Sequence, residues 1–274
     1  MTLPWLEITR GHAPLLVSIP HTGTDLAGLE ASLVSPWLAR RDADWHIEHL
    51  YAFAKDLGAT TVRTTISRTV IDVNRDPSGV SLYPGQATTE LCPTTSFDGD
   101  PLYLSGKEPS EAEILNRRAR YFDPYHAALS GEIARLRALY SHIIVYDCHS
   151  IRSLIPRLFD GILPNFNIGT NSGRSCVPEL THIIASICAQ TPFSHISNGR
   201  FKGGFITRSL GKPETGVHAV QMELACRGYI PENPGSVSET DWPPAYDAAY
   251  AAPMQAALVK ILEASIHFAT HYTD

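Results

Sequence analysis

The stretch IIVYDCHS, residues 143–150, is a run of β-branched and aromatic residues that ends in polar ones. Short apolar runs of this kind are typical of a buried strand in an α/β sheet. In open α/β sheets, ligands bind beyond the carboxyl ends of the strands. Asp147 and His149 therefore lie where a functional site is expected, although a hydrogen-bonded aspartate and a packed histidine would give the same pattern.

Other segments extend this strand into a layered α/β domain. A helical pattern over residues 111–140, either one helix or two broken near Asp123 and Pro124, leads directly into 143–150 and predicts a β–α–β crossover with parallel strands. Further strands are predicted at residues 15–20, 60–66 and 217–224, and a C-terminal helix at 246–271. We predict a single α/β domain over residues 1–274, with a mixed, mostly parallel central sheet flanked by helices.

Composition excludes several classes of protein. The 274 residues carry a net charge of −6 without a basic stripe, so we expect no nucleic-acid partner. No apolar run approaches the roughly 20 residues of a membrane span, and the N-terminus lacks a signal-peptide pattern. We therefore expect a cytoplasmic protein that does not associate with membranes. The five cysteines are scattered and form no CxxC pair, which favours free thiols.

Residues 77–109 are rich in Gly, Pro, Thr and Ser and show no regular periodicity. A loop of this length is uncommon within a compact domain, and such loops often cover active sites or bind ligands. We interpret this segment as a lid over the active site. The alternative is an insertion without a function.

Histidines follow or end two of the predicted strands, His21 after residues 15–20 and His149 at the end of 143–150. Loops at strand ends converge in space, so these side chains are candidate metal ligands. Asp44 is a candidate third ligand, although it could equally cap the helix expected to follow it. Three protein ligands and one water are the usual set of a catalytic zinc site, in which zinc acidifies the water.

Glu223 stands among apolar neighbours in a late strand, where a carboxylate is costly unless it is paired or functional. It could take a proton from the attacking water and deliver it to a leaving nitrogen. Arg68, Asn74 and Arg75 lie close together in the chain, and this combination suits binding of a carboxylate, or else ordinary surface ion pairs. Together these residues indicate hydrolysis of a small acidic N-acyl amino acid.

Two other interpretations are open. Cys148 could be a nucleophile, but Cys148 and His149 are neighbours on a strand and point to opposite faces, which makes them a poor nucleophile–base pair. The chain could instead be a binding protein without activity, and Glu223 argues against this. Under the metal-site interpretation, Asp147 is a candidate residue for orienting a ligating histidine, and Cys148 is a thiol of the core.

The chain resembles the N-formylglutamate amidohydrolase (deformylase) family. The resemblance covers most of the chain, and the motifs are specific in their order and combination rather than singly. They are residues 18–24 (SIPHTGT), 42–46 (DADWH), 67–68 (SR), 72–75 (DVNR), 82–84 (LYP), 147–150 (DCHS), 203–207 (GGFIT) and 221–223 (QME).

The resemblance implies zinc-dependent hydrolysis of N-formyl-L-glutamate to formate and L-glutamate, a late step of histidine degradation. It also implies a phosphorylase/hydrolase-like fold related to zinc carboxypeptidases and succinylglutamate desuccinylases. The alternative within this class is an amidohydrolase for another N-acyl amino acid, or a carboxypeptidase-like hydrolase.

Those relatives carry an HxxE motif, and Thr24 stands here at the position of its glutamate. We therefore expect Asp44, with Asp25 as second choice, to complete a zinc site with His21 and His149. The remaining roles are assigned as expectations. They are Glu223 as general base, Arg68 at the oxyanion, Asn74 and Arg75 at one substrate carboxylate, and Thr207 or Arg208 at the other.

Overall fold

The computed structural model describes residues 3–233, 235 and 237–273. In this part of the chain, seven strands form one sheet: β1 (Leu6–Thr9), β2 (Leu15–Ile19), β3 (Thr60–Thr64), β4 (Ile143–Ile151), β5 (Phe166–Gly169), β6 (His195–Ser197) and β7 (Val217–Ala225). They lie in the order β1-β3-β2-β4-β7-β5-β6. Neighbouring strands are parallel except β1 with β3 and β5 with β7. The predicted mixed, mostly parallel sheet is therefore confirmed.

Helices cover both faces of this sheet. In the described residues they are α1 (Pro36–Arg40), α2 (Ile47–Leu50), α3 (Glu111–Arg117), α4 (Asp123–Arg137), α5 (Pro178–Ala189), α6 (Phe205–Leu210) and α7 (Ala248–His271). Side chains of β4 alternate between two apolar layers, as a pleated strand requires. Ile144 and Tyr146 pack with residues of α5 and α7, whereas Ile143 and Val145 pack with residues of α4.

The helical segment predicted at 111–140 runs without interruption from α3 to α4 through a π-helical turn, Arg118–Phe122. This turn lies next to the predicted break at Pro124, which occupies the first turn of α4. Proline has no N–H and its ring collides with the carbonyl four residues earlier, and a wider turn relieves both problems. The helix ends at Arg137, three residues before the predicted end.

The helix expected to follow Asp44 is short and does not begin directly after it. Its first helical residue is Ile47, after His46 in a left-handed conformation (φ 63°), and a 3-10 turn follows it. Asp44 does not cap this helix, because its carboxylate is turned towards His149 instead. The Asp44 side chain therefore belongs to the buried cluster and does not provide the usual cap at the start of a helix.

Parallel pairing brings the functional strand ends to one edge of the sheet. His21 follows β2, and β4 pairs with both β2 and β7. In the register of β4 and β7, His149 lies directly beside Glu223 and Asp147 beside Gln221. Because alternate residues share a face, these four side chains point to the same side of the sheet.

Residues 77–109, all of which the structure describes, contain no helix or strand and only isolated bridges such as Thr95 with Pro101. Elsewhere, no helix among the described residues has both the length and the apolar character needed to cross a membrane. The five cysteines are free and buried, in agreement with the absence of CxxC pairs.

Candidate metal and active site

His21, Asp44 and His149 converge at the carboxyl edge of the sheet and could hold a metal ion. His149 Nδ1 lies 3.1 Å from His21 Nδ1 and 3.1 Å from Asp44 Oδ2, and the His21–Asp44 distance is 3.7 Å. All three side chains are buried. Asp25, the second choice for the carboxylate, is exposed and accepts a hydrogen bond from its own loop, at the Ala27 N–H.

Both histidines are oriented by a carboxylate on the nitrogen that faces away from this cluster. His21 Nε2 lies 2.7 Å from Asp72 Oδ1, and His149 Nε2 lies 2.9 Å from Asp147 Oδ2. A carboxylate that accepts the Nε2 proton leaves the Nδ1 lone pair free, and this pairing is the usual environment of a ligating histidine. The geometry thus directs both Nδ1 atoms and Asp44 Oδ2 towards one point.

The electrostatics of the cluster favour a bound cation. Burial raises the pKa of the Asp44 carboxyl, but hydrogen bonds with His149 and His21 outweigh this effect and hold that pKa below its ordinary value. Burial lowers the pKa of His149, but Asp147 and Asp44 outweigh it and raise that pKa well above its ordinary value. Asp44 Oδ1 is buried without a hydrogen-bond partner. The surroundings therefore stabilise positive charge at this point.

Glu223 lies beside His149 on the neighbouring strand and is only 7% exposed. Its Oε2 accepts a hydrogen bond from Gln221 Nε2 at 3.1 Å. Burial raises the pKa of Glu223 to about 7. A carboxyl group with a pKa near neutral can both accept and return a proton, which is what a general base and acid requires.

A cavity opens above these residues, and His21, His149 and Glu223 are part of its lining. The rest of the lining combines three arginines with aromatic, aliphatic and small polar residues: Arg68, Asn74, Arg75, Tyr83, Ala87, Thr88, Thr89, Phe97, Ile151, Leu158, Arg200, Phe201, Gly204 and Gln221. Glu223 is the one acidic side chain in this lining, so the cavity suits an anionic ligand.

Arg68 and Arg75, the two arginines assigned to substrate from the sequence, both line this cavity. Arg68 Nη2 donates to Asp72 Oδ2 at 2.7 Å, and its guanidinium lies over the Phe97 ring at 4.7 Å. Arg75 donates to the carbonyl and hydroxyl oxygens of Thr89, both at 3.1 Å. Both arginines are therefore held rigidly at the cavity wall.

Asn74 also lines the cavity, but its amide is engaged inside the protein. The side-chain nitrogen donates to Asp147 Oδ2 at 3.2 Å and lies 2.9 Å from His149 Nε2. The side-chain oxygen accepts from the Ile206 N–H at 2.8 Å. These contacts give Asn74 a part in positioning His149, and its role in substrate binding stays a prediction.

Thr207 and Arg208 are not among the residues that line the cavity. Helix α6 begins at Phe205, and Thr207 is fully buried within it. Arg208 lines a neighbouring depression and stacks on the Tyr83 ring at 4.9 Å. Their predicted contact with a substrate carboxylate therefore finds no support in this geometry.

Asp72, Arg200 and Gln221 complete the site and were not assigned roles from the sequence. Asp72 joins His21 to Arg68 through its two oxygens. Gln221 bridges Glu223 and the Gly204 N–H. Gln221 lies two residues before Glu223 in β7, where alternate residues share a face, and this position was the signal available for it. Asp72 lies two residues before Asn74 in a turn, where no such regular pattern applies.

Cys148 points away from the site into the apolar core. It is completely buried, and burial raises the pKa of its thiol well above the ordinary value, so a thiolate nucleophile is not available. We expect Cys148→Ala to keep kcat/KM within about threefold of the parent enzyme and to cost roughly 1 kcal/mol of stability. Steady-state assays and thermal unfolding would measure both. A loss of activity beyond 100-fold in a folded variant would restore the cysteine-hydrolase alternative.

The fold and site define an α/β protein with a candidate hydrolytic centre of two histidines, an aspartate and a glutamate. The model of the N-formylglutamate amidohydrolase family matches residues 13–230, and the chain belongs to this family. It is 49% identical to the N-formylglutamate deformylase of Pseudomonas aeruginosa over 229 residues. This match covers 83% of this chain and 86% of the relative. A deformylase of Pseudomonas putida is 44% identical over 261 residues, covering 94% of each chain.

Solved structures resemble the fold at lower sequence identity. The N-formylglutamate amidohydrolase of Ralstonia eutropha JMP134 superposes with a TM-score of 0.78 at 20% identity, over 97% of this chain and 98% of the other. A gene product of Agrobacterium tumefaciens gives a TM-score of 0.69 at 17% identity, over 96% and 93% of the two chains. These similarities support the α/β architecture.

Proposed function

We propose that this protein hydrolyses N-formyl-L-glutamate to formate and L-glutamate. The observation that carries the proposal is the buried cluster of His21, Asp44 and His149 beside Glu223, in a cavity lined by three arginines. The names of the two Pseudomonas relatives support the same substrate. The place of this reaction in histidine degradation, which the family resemblance implies, is part of the proposal.

The donor set fits a zinc ion held by His21, Asp44 and His149. Ligands about 2.0–2.1 Å from a tetrahedral zinc are about 3.4 Å apart, and the three donor atoms lie 3.1–3.7 Å from one another. Two nitrogens and one carboxylate oxygen are also the ligand types of catalytic zinc sites. When bound, such an ion acidifies water and polarises a carbonyl oxygen.

Glu223 moves the protons of the reaction. Its carboxylate accepts a proton from the attacking water as the oxygen bonds to the formyl carbon, and Gln221 holds the carboxylate in position. The proton then passes to the amide nitrogen, and the C–N bond breaks to give formate and the free amine of glutamate. Arg68, at the cavity wall beside Asp72, stabilises the negative charge that develops on the formyl oxygen.

Arg75, with Asn74 beside it, binds the substrate carboxylate nearest the reacting amide. Residues 77–109 act as the cover of the cavity, since Tyr83, Ala87, Thr88, Thr89 and Phe97 all contribute to its lining. A cover excludes bulk water and so strengthens the charge interactions in the site.

The test is release of formate and glutamate from N-formyl-L-glutamate by the purified protein. We expect turnover that falls at least tenfold after treatment with a zinc chelator and is restored by added Zn²⁺, because three buried donors otherwise lack their ion. N-acetyl- and N-succinyl-glutamate should be poorer substrates. Faster cleavage of either, or full activity in metal-free protein, would contradict the proposal.

A further inference from the structure

Arg200 is a cavity-lining arginine to which the proposed reaction gives no task. It is half-buried, with Nε donating to the Leu158 carbonyl at 2.7 Å and Nη2 to the Ala87 carbonyl at 2.9 Å. Among the described residues Arg200 forms no ion pair, and both of its hydrogen bonds end on carbonyl oxygens. Aromatic rings of Tyr83 and Phe201 each lie 5.3 Å from it.

A guanidinium in this setting is fixed in place but its charge is not neutralised. Burial lowers the pKa of Arg200 and outweighs the opposite effects of Tyr83 and Glu223, and the positive charge of Arg75 lowers that pKa further. A partly desolvated cation that the protein leaves without a carboxylate can take one from a ligand as a charge-assisted hydrogen bond. The cavity therefore offers a second anion site besides Arg75.

The two arginines differ in whether hydrogen bonds and ion pairs connect them to the candidate metal ligands. Arg75 Nη2 lies 3.6 Å from Asp72 Oδ2, and Asp72 in turn bonds His21. Arg200 bonds to Leu158 and Ala87 instead. Neither of these residues bonds to His21, Asp44 or His149. Arg75 is therefore linked through Asp72 to His21, whereas the hydrogen bonds of Arg200 lead only to the backbone carbonyls of Leu158 and Ala87 in the cavity wall.

An acylated glutamate matches this arrangement. Its α-carboxylate is attached to the carbon that carries the amide nitrogen, whereas its side-chain carboxylate is at the far end of a methylene chain. Ile151, Leu158 and Phe201 line the cavity and belong to one apolar cluster, which suits methylene groups.

We infer that Arg200 binds the side-chain carboxylate of the N-acyl amino acid and so selects acidic substrates, while Arg75 binds the α-carboxylate. This inference rests on the proposed function and deepens it. It replaces Arg208, which lies outside the cavity lining and stacks on the same Tyr83 ring that Arg200 contacts.

The test compares two substrates that differ only in that carboxylate, N-formyl-L-glutamate and N-formyl-L-glutamine. We expect Arg200→Met to lower kcat/KM for N-formylglutamate by about 10- to 100-fold, the range for one charge-assisted hydrogen bond. The value for N-formylglutamine should change less than threefold. Arg200→Lys, which keeps the charge, should retain part of the preference for glutamate.

Arg174→Met is the matched control, since Arg174 is also held by backbone and side-chain oxygens but lies outside the cavity lining. It should leave both substrates unaffected, and circular dichroism would show that each variant is folded. Equal losses on both substrates in Arg200→Met would overturn the inference, as would a loss of preference in Arg208→Met. A parent enzyme that cleaves neither substrate would instead overturn the proposed function itself.

Discussion

Glu223→Gln is expected to lower kcat on N-formyl-L-glutamate by about 100- to 10,000-fold, the usual contribution of a general base, without loss of the zinc proposed for the site. The amide has nearly the shape of the carboxylate but cannot accept the proton of water. Its oxygen can still accept the hydrogen bond from Gln221, so the site should keep its geometry. Steady-state kinetics and metal analysis of the purified variant would measure the two quantities.

Glu263→Gln is the control for this experiment, because it makes the same chemical change at an exposed position of α7. It should have the activity of the parent enzyme. Loss of metal from Glu223→Gln would assign Glu223 to the ligand set rather than to proton transfer. A decrease in kcat of less than tenfold would remove it from the mechanism altogether.

Asp44→Asn is expected to weaken metal binding by more than about 100-fold, since even residues that only orient ligands contribute 10- to 100-fold. The substitution removes the negative charge and keeps the volume, in a position that is completely buried. Activity at limiting metal should fall in parallel. A titration of the metal-free protein with Zn²⁺, followed by activity and by a competing chelator, would give the affinity.

Asp25→Asn tests the alternative ligand with the same chemical change. Asp25 is exposed and its carboxylate accepts a hydrogen bond from Ala27 in its own loop, so metal affinity should equal that of the parent. If Asp25→Asn lost its metal and Asp44→Asn kept it, the ligand assignment would be reversed. Thermal unfolding of both metal-free variants would separate loss of a ligand from loss of the fold.

Sequence patterns predict the central strands of this fold because those strands are buried on both faces. β2, β4 and β7 are rich in apolar residues, are buried along their whole length and lie side by side. The edge strands β1 and β6 are short and largely exposed, so no apolar pattern marks them. Helix α1 did carry a signal that was missed, since Ser35 caps it and Pro36 follows.

In the candidate site too, some residues could be predicted from the sequence and others could not. Histidines at strand ends and a carboxylate within an apolar strand are local features, and His21, His149 and Glu223 could be proposed from them. The contacts of Asn74 with Asp147 and Ile206 could not be predicted, because these partners are 73 and 132 residues away. The backbone carbonyl oxygens of residues 158 and 87 hold Arg200 in position, and no sequence motif indicates these contacts.

The burial of the five cysteines has a practical consequence. Burial raises the pKa of Cys92 and Cys176 to about 11 and that of Cys188 to about 12, so these thiols are almost wholly protonated at neutral pH. A maleimide or disulfide reagent must therefore wait for the chain to open before it can react. Cys188 lies in α5, Cys148 in β4 and Cys226 just beyond β7, so the order of their labelling would report which layer of the domain opens first.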